Sequence, residues 1–232
     1  MGEHEGEATG RRARRPLRSR LYLWATRRLY HEFAWAYEAV AWLVSQGHWS
    51  TWRRAVLAHV RGPRVLEMGS GTGALLAEMA ARGWQVVGLE PSPQMQRVMA
   101  RTLARRGVRA DRMRAAAQAL PIADGTVDTI VSTFPANYIL DPETFREAAR
   151  GLRPEGRLVI GGLYVEVERG PLRLAARLLY GAGEPPGLLE RLRALAWPHG
   201  LCVTIASGEG PDAEAPVAIV ERAAGPSPGE PQ

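Results

Sequence analysis

Apolar positions change their spacing along this chain. From Tyr30 onward, Phe33, Ala34, Tyr37, Ala41 and Val44 recur at the i, i+3, i+4, i+7 spacing of a helix, and Trp35, Ala39 and Trp42 make a second apolar face. A helix apolar on two faces needs cover on both, from a core on one side and from a ligand, partner or membrane on the other. Gly47 ends the pattern, and WSTWRRAVLAHV from Trp49 reads as a second, short helix with Ser50 or Thr51 as its N-cap. Beyond it short apolar runs take over. PRVLEM, WQVVGLE, a weaker RMRAA, VDTIVSTF, GRLVIGGLY, LCVTIA and VAIVE read as strands, and GALLAEMAARG, SPQMQRVMARTLARRG, DPETFREAARGLR and PGLLERLRALAWPHG read as helices.

Strands alternating with helices predict an α/β fold with a doubly wound, mostly parallel sheet. The last two strands are joined only by SGEGPDAEAP, too short for a helical crossover, so that pair is expected to be antiparallel. The chain divides into a disordered basic arm (1–16), an N-terminal helical segment (17–60), one α/β domain (61–222) and a disordered tail (223–232). VERGPLRLAARLLYGAGEPP, covering 168–185, reads as a cap inserted after the fifth strand, with Leu172, Leu174, Leu178 and Leu179 as its apolar side.

With 232 residues there is room for one α/β domain and appendages. No apolar run reaches the ~20 residues of a membrane-spanning helix. Glu3, Glu5 and Glu7 precede the arginines of the N-terminus, which is unlike a secretion signal, so the expected compartment is the cytoplasm. The formal charge is +6, and every basic residue other than histidine is arginine. RRARRPLRSR could touch an anionic membrane surface together with the neighbouring aromatics; without a recognisable reading element it points away from nucleic acid. The single cysteine, Cys202, excludes an intrachain disulfide and is expected to be a buried, inert thiol. The histidines are scattered and the acids show no ligand spacing, so no metal site is expected.

The candidate chemistry lies in RVLEMGSGTG. Gly69, Gly71 and Gly73 allow a tight turn between strand and helix, where backbone amides can approach a ligand closely. Gly69, Gly71 and Ala74 satisfy a relaxed dinucleotide fingerprint, and Glu90, closing the second strand, stands where an acid binds ribose hydroxyls. Spacing alone leaves NAD and other nucleoside cofactors open. Glu67 favours the latter, because a carboxylate two residues before the first glycine would repel a pyrophosphate and attract a ligand carrying an ammonium and a sulfonium, as S-adenosylmethionine does.

VLEMGSGTG, VVGLEPSPQM, AAAQALPIADGTVDTIVST and LRPEGRLVI, in that order and spacing, resemble the motifs of class I S-adenosylmethionine-dependent methyltransferases, in particular the small-molecule branch with the methyltransferase type 11 core. The resemblance spans residues 63 to 163. It implies a Rossmann-like seven-stranded sheet with its last strand antiparallel and an N-terminal helical lid. It also implies that Glu67 lies near the methionine moiety, that Gly69, Ser70, Gly71 and Gly73 wrap the cofactor, that Glu90 binds both ribose hydroxyls and that Pro91 and Met95 flank the adenine. The family's Asp followed by a small residue is replaced by Ala116 and Ala117; the amide of Ala117 can still serve, and Gln118 can supply the missing contact to the adenine amino group. Thr133, at the end of the fourth strand, completes the cofactor-binding set.

Methyl transfer from a sulfonium is an in-line displacement in which the protein aligns the partners and excludes water, so no catalytic residue is assigned. Where amino-methyltransferases acting on nucleic acids and proteins carry an Asn/Asp-Pro-Pro-aromatic motif, this chain has Phe134, Pro135, Ala136, Asn137 and Tyr138. That departure argues against a base amino group as acceptor. Tyr37, Trp49, Trp52, Phe134, Asn137 and Tyr138 are candidates for lining an apolar acceptor pocket, with His31 and His48 as candidate bases. The expected acceptor is small and apolar or lipid-like, of quinone or phospholipid type. The rival readings are an NAD-dependent oxidoreductase and a non-enzymatic cofactor- or RNA-binding module.

Overall fold

The computed structural model describes residues 48–163, 166–167, 186–206, 213–214 and 216–223. The basic arm, the helical segment up to residue 47 with His31 and Tyr37, the cap insertion at 168–185 and the tail beyond 223 lie outside the described residues.

The described chain begins with α1 (Trp49–Arg54), which tightens into a 3₁₀ turn at Ala55–His59 and leads into β1 (Arg64–Met68). There follow α2 (Ala74–Ala81), β2 (Gln85–Leu89), α3 (Pro93–Arg106), β3 (Asp111–Met113), β4 (Val127–Thr133), α4 (Pro142–Gly151) and β5 (Leu152–Gly161). After the short β6 (Glu166–Val167) come α5 (Leu188–Ala196), β7 (Leu201–Ala206), the short β8 (Ala213–Glu214) and β9 (Val217–Arg222). Seven strands form one sheet in the order β3-β2-β1-β4-β5-β9-β7, and β6 pairs with β8 as a separate ribbon. The first five strands of the large sheet run parallel, while β9 is antiparallel to both neighbours. This is the Rossmann-like topology expected, including the reversed last strand.

Local sequence explains the boundaries. Helix α3 starts where Ser92 accepts the amide of Met95 at 3.3 Å, with proline in its first turn, and stops at Gly107 in the left-handed conformation. Asp141 caps α4 by accepting the amide of Glu143 at 3.0 Å, with Pro142 as the first helical residue. The expected cap of α1 differs. Helix α1 starts at Trp49 with His48 as N-cap and no side-chain cap bond, leaving Ser50 and Thr51 within its first turn. The tightly packed Trp49, 6% exposed, belongs to the helix that the polar pair would have started later.

Because both faces of the central strands are covered, β1 and β4 read as near-continuous buried runs. Period two divides them into two layers. Leu66, Met68, Ile130, Leu158 and Ile160 pack with Phe145 and Ala148 of α4 and with Leu192 and Ala196 of α5. On the other side Val65, Val131 and Val159 join a cluster with Leu75, Leu76 and Met79 of α2, Met99 and Leu103 of α3, and Val56 and Leu57. Cys202 is only half-buried, contrary to expectation, because β7 is an edge strand; its thiol lies 3.4 Å from the Glu221 carbonyl.

No helix crosses between β3 and β4. Residues 114–126 form an irregular connection instead, pinned by Arg150, which donates to the carbonyls of Leu120 (2.9 Å) and Ile122 (2.8 Å), and by Glu147, which accepts the Leu120 amide at 2.9 Å. Phe145 is fully buried beneath these elements. Phe145→Ala is expected to lower the stability of the domain by about 3–5 kcal/mol, read from urea denaturation midpoints, with the sheet retained by circular dichroism.

Candidate functional site

In a doubly wound sheet a ligand site forms beyond the carboxyl ends of the strands, where the order of connections reverses. Here that place lies between β1 and β4, whose connections leave in opposite directions from the centre of the sheet.

The turn after β1 is held from both sides. The amides of Gly69 and Ser70 both donate to the Leu89 carbonyl, at 2.8 and 3.0 Å, and the Ser70 hydroxyl donates back to the Glu67 carbonyl at 2.9 Å. Gly69 has φ +71°, and a Cβ there would lie 2.5 Å from the Tyr138 hydroxyl. Tyr138 props the end of β1, donating to the Met68 carbonyl at 3.1 Å and standing 2.7 Å from Ser132 Oγ. Gly71, with φ +51°, is less crowded: a Cβ there would meet only the Gly69 carbonyl oxygen, at 4.0 Å.

Two carboxylates flank this turn, both buried. Glu90 is fully buried and tied to the backbone: Oε2 accepts the amide of Gly71 at 3.0 Å and Oε1 that of Ser92 at 2.8 Å. Glu67, on the same face of β1 as Val65, is 2% exposed, and its Oε2 has no hydrogen-bond partner among the described residues. Burial pushes the Glu67 carboxyl up to about 8, aided by the charge of Glu90 and opposed by the Arg53 guanidinium. Burial likewise pushes the Tyr138 phenol up, which keeps it a hydrogen-bond donor.

A cavity of about 110 Å³ opens against the turn, bringing together Glu67, Gly69, Ser70, Gly71, Thr133, Phe134 and Tyr138 with Trp49 and Arg53 of α1. Trp49 and Phe134 stack across one wall, ring centroids 3.9 Å apart and 19° from parallel. Phe134 adopts φ +47°, a sparsely populated conformation for an aromatic residue, costing of order 1 kcal/mol or more. The strain ends β4 and turns the ring onto Trp49.

The remaining candidates lie elsewhere. Gly73, Pro91, Met95, Ala117 and Gln118 do not line this cavity. Met95 is fully buried at the start of α3, and Pro91 is exposed. Ala117 and Gln118 sit on the pinned connection, where the Gln118 amide donates to Asp141 at 3.2 Å and leaves its carbonyl oxygen for another donor. Trp52 is 2% exposed and packs inward under His48, ring centroids 5.9 Å apart. Asn137 is exposed. Arg53 was not anticipated. Its signal is the spacing of WSTWRR, which sets Trp49 and Arg53 one helical turn apart, just before the strand that carries the glycine turn.

A larger hollow of about 870 Å³ lies at the opposite end of the sheet, lined by Arg64, Trp84, Leu103, Ile122 and Val127 among others. It marks the amino ends of the strands beside the connection without a helix, and it lacks the convergent buried polar groups of the glycine turn. Among the described residues no group of three or more His, Cys, Asp or Glu side chains is arranged to hold a metal, and no helix is long and apolar enough to cross a membrane.

Residues 65–156 match the sequence family described as "Methyltransferase domain". Over 138 residues the chain is 35% identical to a demethylmenaquinone methyltransferase of Thermus thermophilus, covering 57% of this chain and 63% of that one. Over 136 residues it is 34% identical to the Clavibacter sepedonicus protein of the same name, covering 57% and 55%. The chain thus spans less than two thirds of the length of these relatives. A solved structure described as an S-adenosylmethionine-dependent methyltransferase, "possible histamine N-methyltransferase", from Thermotoga maritima superposes with a TM-score of 0.59 at 20% identity, covering 84% of this chain and 98% of that one. At that identity the likeness is one of fold.

A buried carboxyl held above its ordinary range costs stability as the solution becomes alkaline. The unfolded chain releases the Glu67 proton near pH 4.5 and the folded chain near pH 8, so the folded state binds more protons between them and stability falls as pH rises through that window. Glu67→Gln is therefore expected to gain on wild type by on the order of 1 kcal/mol per pH unit between pH 5 and 8 and to match it near pH 4. Denaturant titrations of the ligand-free proteins across that range measure the difference.

Proposed function

We propose that this chain, which carries a class I S-adenosylmethionine-dependent methyltransferase domain, binds S-adenosylmethionine at the glycine turn and transfers its methyl group to a small apolar acceptor of quinone type. The observation that carries the reading is the buried Glu67, a residue that lines the cavity beside the glycine turn and whose Oε2 has no hydrogen-bond partner among the described residues. An acidic, water-poor crevice suits a cationic ligand and opposes a diphosphate. The residues fit the group. Glu67 faces the ammonium and sulfonium, Arg53 takes the carboxylate, and Gly71 leaves room for the chain to pass. The cavity's volume suits the methionine end alone. The ribose and adenine extend past Glu90 toward the amide of Ala117 and the free carbonyl of Gln118.

Bound S-adenosylmethionine supplies an activated methyl group, and the protein's part is alignment and exclusion of water. The stacked Trp49 and Phe134 wall the cavity, giving a planar apolar acceptor an aromatic surface. The named demethylmenaquinone methyltransferases among the relatives favour a quinone-type acceptor over the phospholipid alternative.

Calorimetric titration with S-adenosylmethionine tests the cofactor reading. Glu90→Ala is expected to weaken binding by roughly 1–3 kcal/mol through loss of charge-assisted hydrogen bonds to the ribose. Protection by NAD, with no binding of S-adenosylmethionine, would replace the reading with an oxidoreductase. Acceptor class is read by incubating the protein with methyl-labelled S-adenosylmethionine and separated quinone and phospholipid fractions. Label in the quinone fraction is expected, reduced at least about tenfold in Arg53→Leu at subsaturating cofactor, as loss of a charged hydrogen bond predicts.

A further inference from the structure

The groups that face Glu67 are few. Arg53 reaches it from α1, Glu90 from the tip of β2, Tyr138 from the turn after β4, Ser70 from the glycine turn and the Leu76 amide from α2. The arrangement sets one guanidinium beside two buried carboxyls, and the second carboxyl, Glu90, has each oxygen engaged by a backbone amide. Glu67 Oε2 has no such donor among the described residues, and the side chain is 2% exposed, so water does not compensate it either. An ionised Glu67 therefore lacks full compensation until another positive charge enters the cavity.

We infer that Glu67 is the residue by which the site distinguishes the charged methyl donor from the spent, thioether form, because it carries a proton while the cavity holds no cationic ligand and releases it when the sulfonium nucleoside binds. The inference rests on the cofactor reading above. The upward displacement of the Glu67 carboxyl to about 8 agrees with the geometry and places the change within the working range of pH.

The charges balance at each step. On binding, Glu67 passes one proton to solvent and becomes the counter-ion of a ligand whose ammonium and sulfonium outweigh its single carboxylate. On transfer, an electron pair of the acceptor forms the new bond to the methyl carbon as the carbon–sulfur bond breaks and its pair stays on sulfur, so the sulfonium becomes a neutral thioether; the proton displaced from the acceptor goes to solvent. Glu67 has then lost one of its positive partners and draws a proton back from solvent. The product complex is weakened relative to the donor complex, which favours exchange of spent for fresh cofactor.

Proton counting separates this inference from the cofactor reading on which it depends. The full chain is titrated at pH 6.5, where an α-amino group is already protonated, in phosphate and in Tris. The difference in heat between the two buffers gives the protons released per ligand bound. Close to one proton is expected for S-adenosylmethionine and for sinefungin, an unreactive analogue with an amine in place of the methylated sulfonium. Distinctly fewer are expected for S-adenosylhomocysteine, and none for any of the three in Glu67→Gln. In parallel, the wild-type dissociation constant for S-adenosylmethionine should fall about tenfold from pH 6 to pH 7, and that of Glu67→Gln by less than about twofold. Binding of S-adenosylmethionine without proton release, or equal release in Glu67→Gln, overturns the inference and leaves the cofactor reading standing. Absence of any binding overturns both.

Discussion

Two carboxylates that water does not reach, at the tips of adjacent parallel strands, set the terms for this end of the molecule. Removing such groups from water costs several kcal/mol each unless donors or cations compensate them. The chain compensates them differently. Glu90 accepts the amides of Gly71 and Ser92, one on each oxygen, so it doubles as the clasp joining the glycine turn to the start of α3. Glu67 has the Arg53 charge, Ser70 and the Leu76 amide on its side, and still one oxygen that accepts nothing from the described residues. A protein that only needed to fold would gain by replacing it, and its presence beside a built turn argues for a ligand.

Much of the surrounding structure serves to hold these tips still. Tyr138 comes from beyond β4 to support the end of β1, and it can do so because Gly69 presents no side chain in its way. The Thr144 hydroxyl in the first turn of α4 donates to the Tyr138 carbonyl at 2.7 Å, so this prop is anchored to a helix that packs on the opposite face of the sheet. Arg150 and Glu147, later in the same helix, fix the connection that carries Ala117 and Gln118. One helix thus sets the position of the turn and of the segment proposed to meet the adenine, and rigid supports of this kind let a site bind without reorganising.

The sequence discloses the scaffold far better than the walls of the site. Strand and helix order follow from the switch between period 2 and period 3.6, and the reversal of β9 follows from the length of SGEGPDAEAP alone, because both are consequences of local chain geometry. The glycine turn and its two acids are readable for the same reason: they are fixed relative to strands that the pattern locates. Tyr138 is different. As an aromatic near a strand end it reads as a substrate contact, and its role under Gly69 depends on a meeting between segments far apart in sequence. Trp49 and Trp52 look alike in the sequence, yet one stacks on Phe134 at the cavity and the other is packed inward, a difference decided by the rotation of a six-residue helix. Arg53 escapes notice because arginine is abundant throughout the chain, and what sets this one apart is its burial beside the glycine turn, at 9% exposed.

That short helix gives the site its logic. Trp49 and Arg53 lie one turn apart on α1, so the residue proposed to take the cofactor's carboxylate and the residue proposed to wall the acceptor side share one short helix. Phe134 holds its strained backbone where its ring meets Trp49, and the stacking contributes of order 1 kcal/mol beyond burial, comparable to the strain it offsets. Any displacement of α1 on cofactor binding would therefore unstack the pair and leave the strain at Phe134 uncompensated. On the proposed reading, filling the methionine end of the cavity and shaping the acceptor wall are energetically linked, and the link runs through a single helical turn.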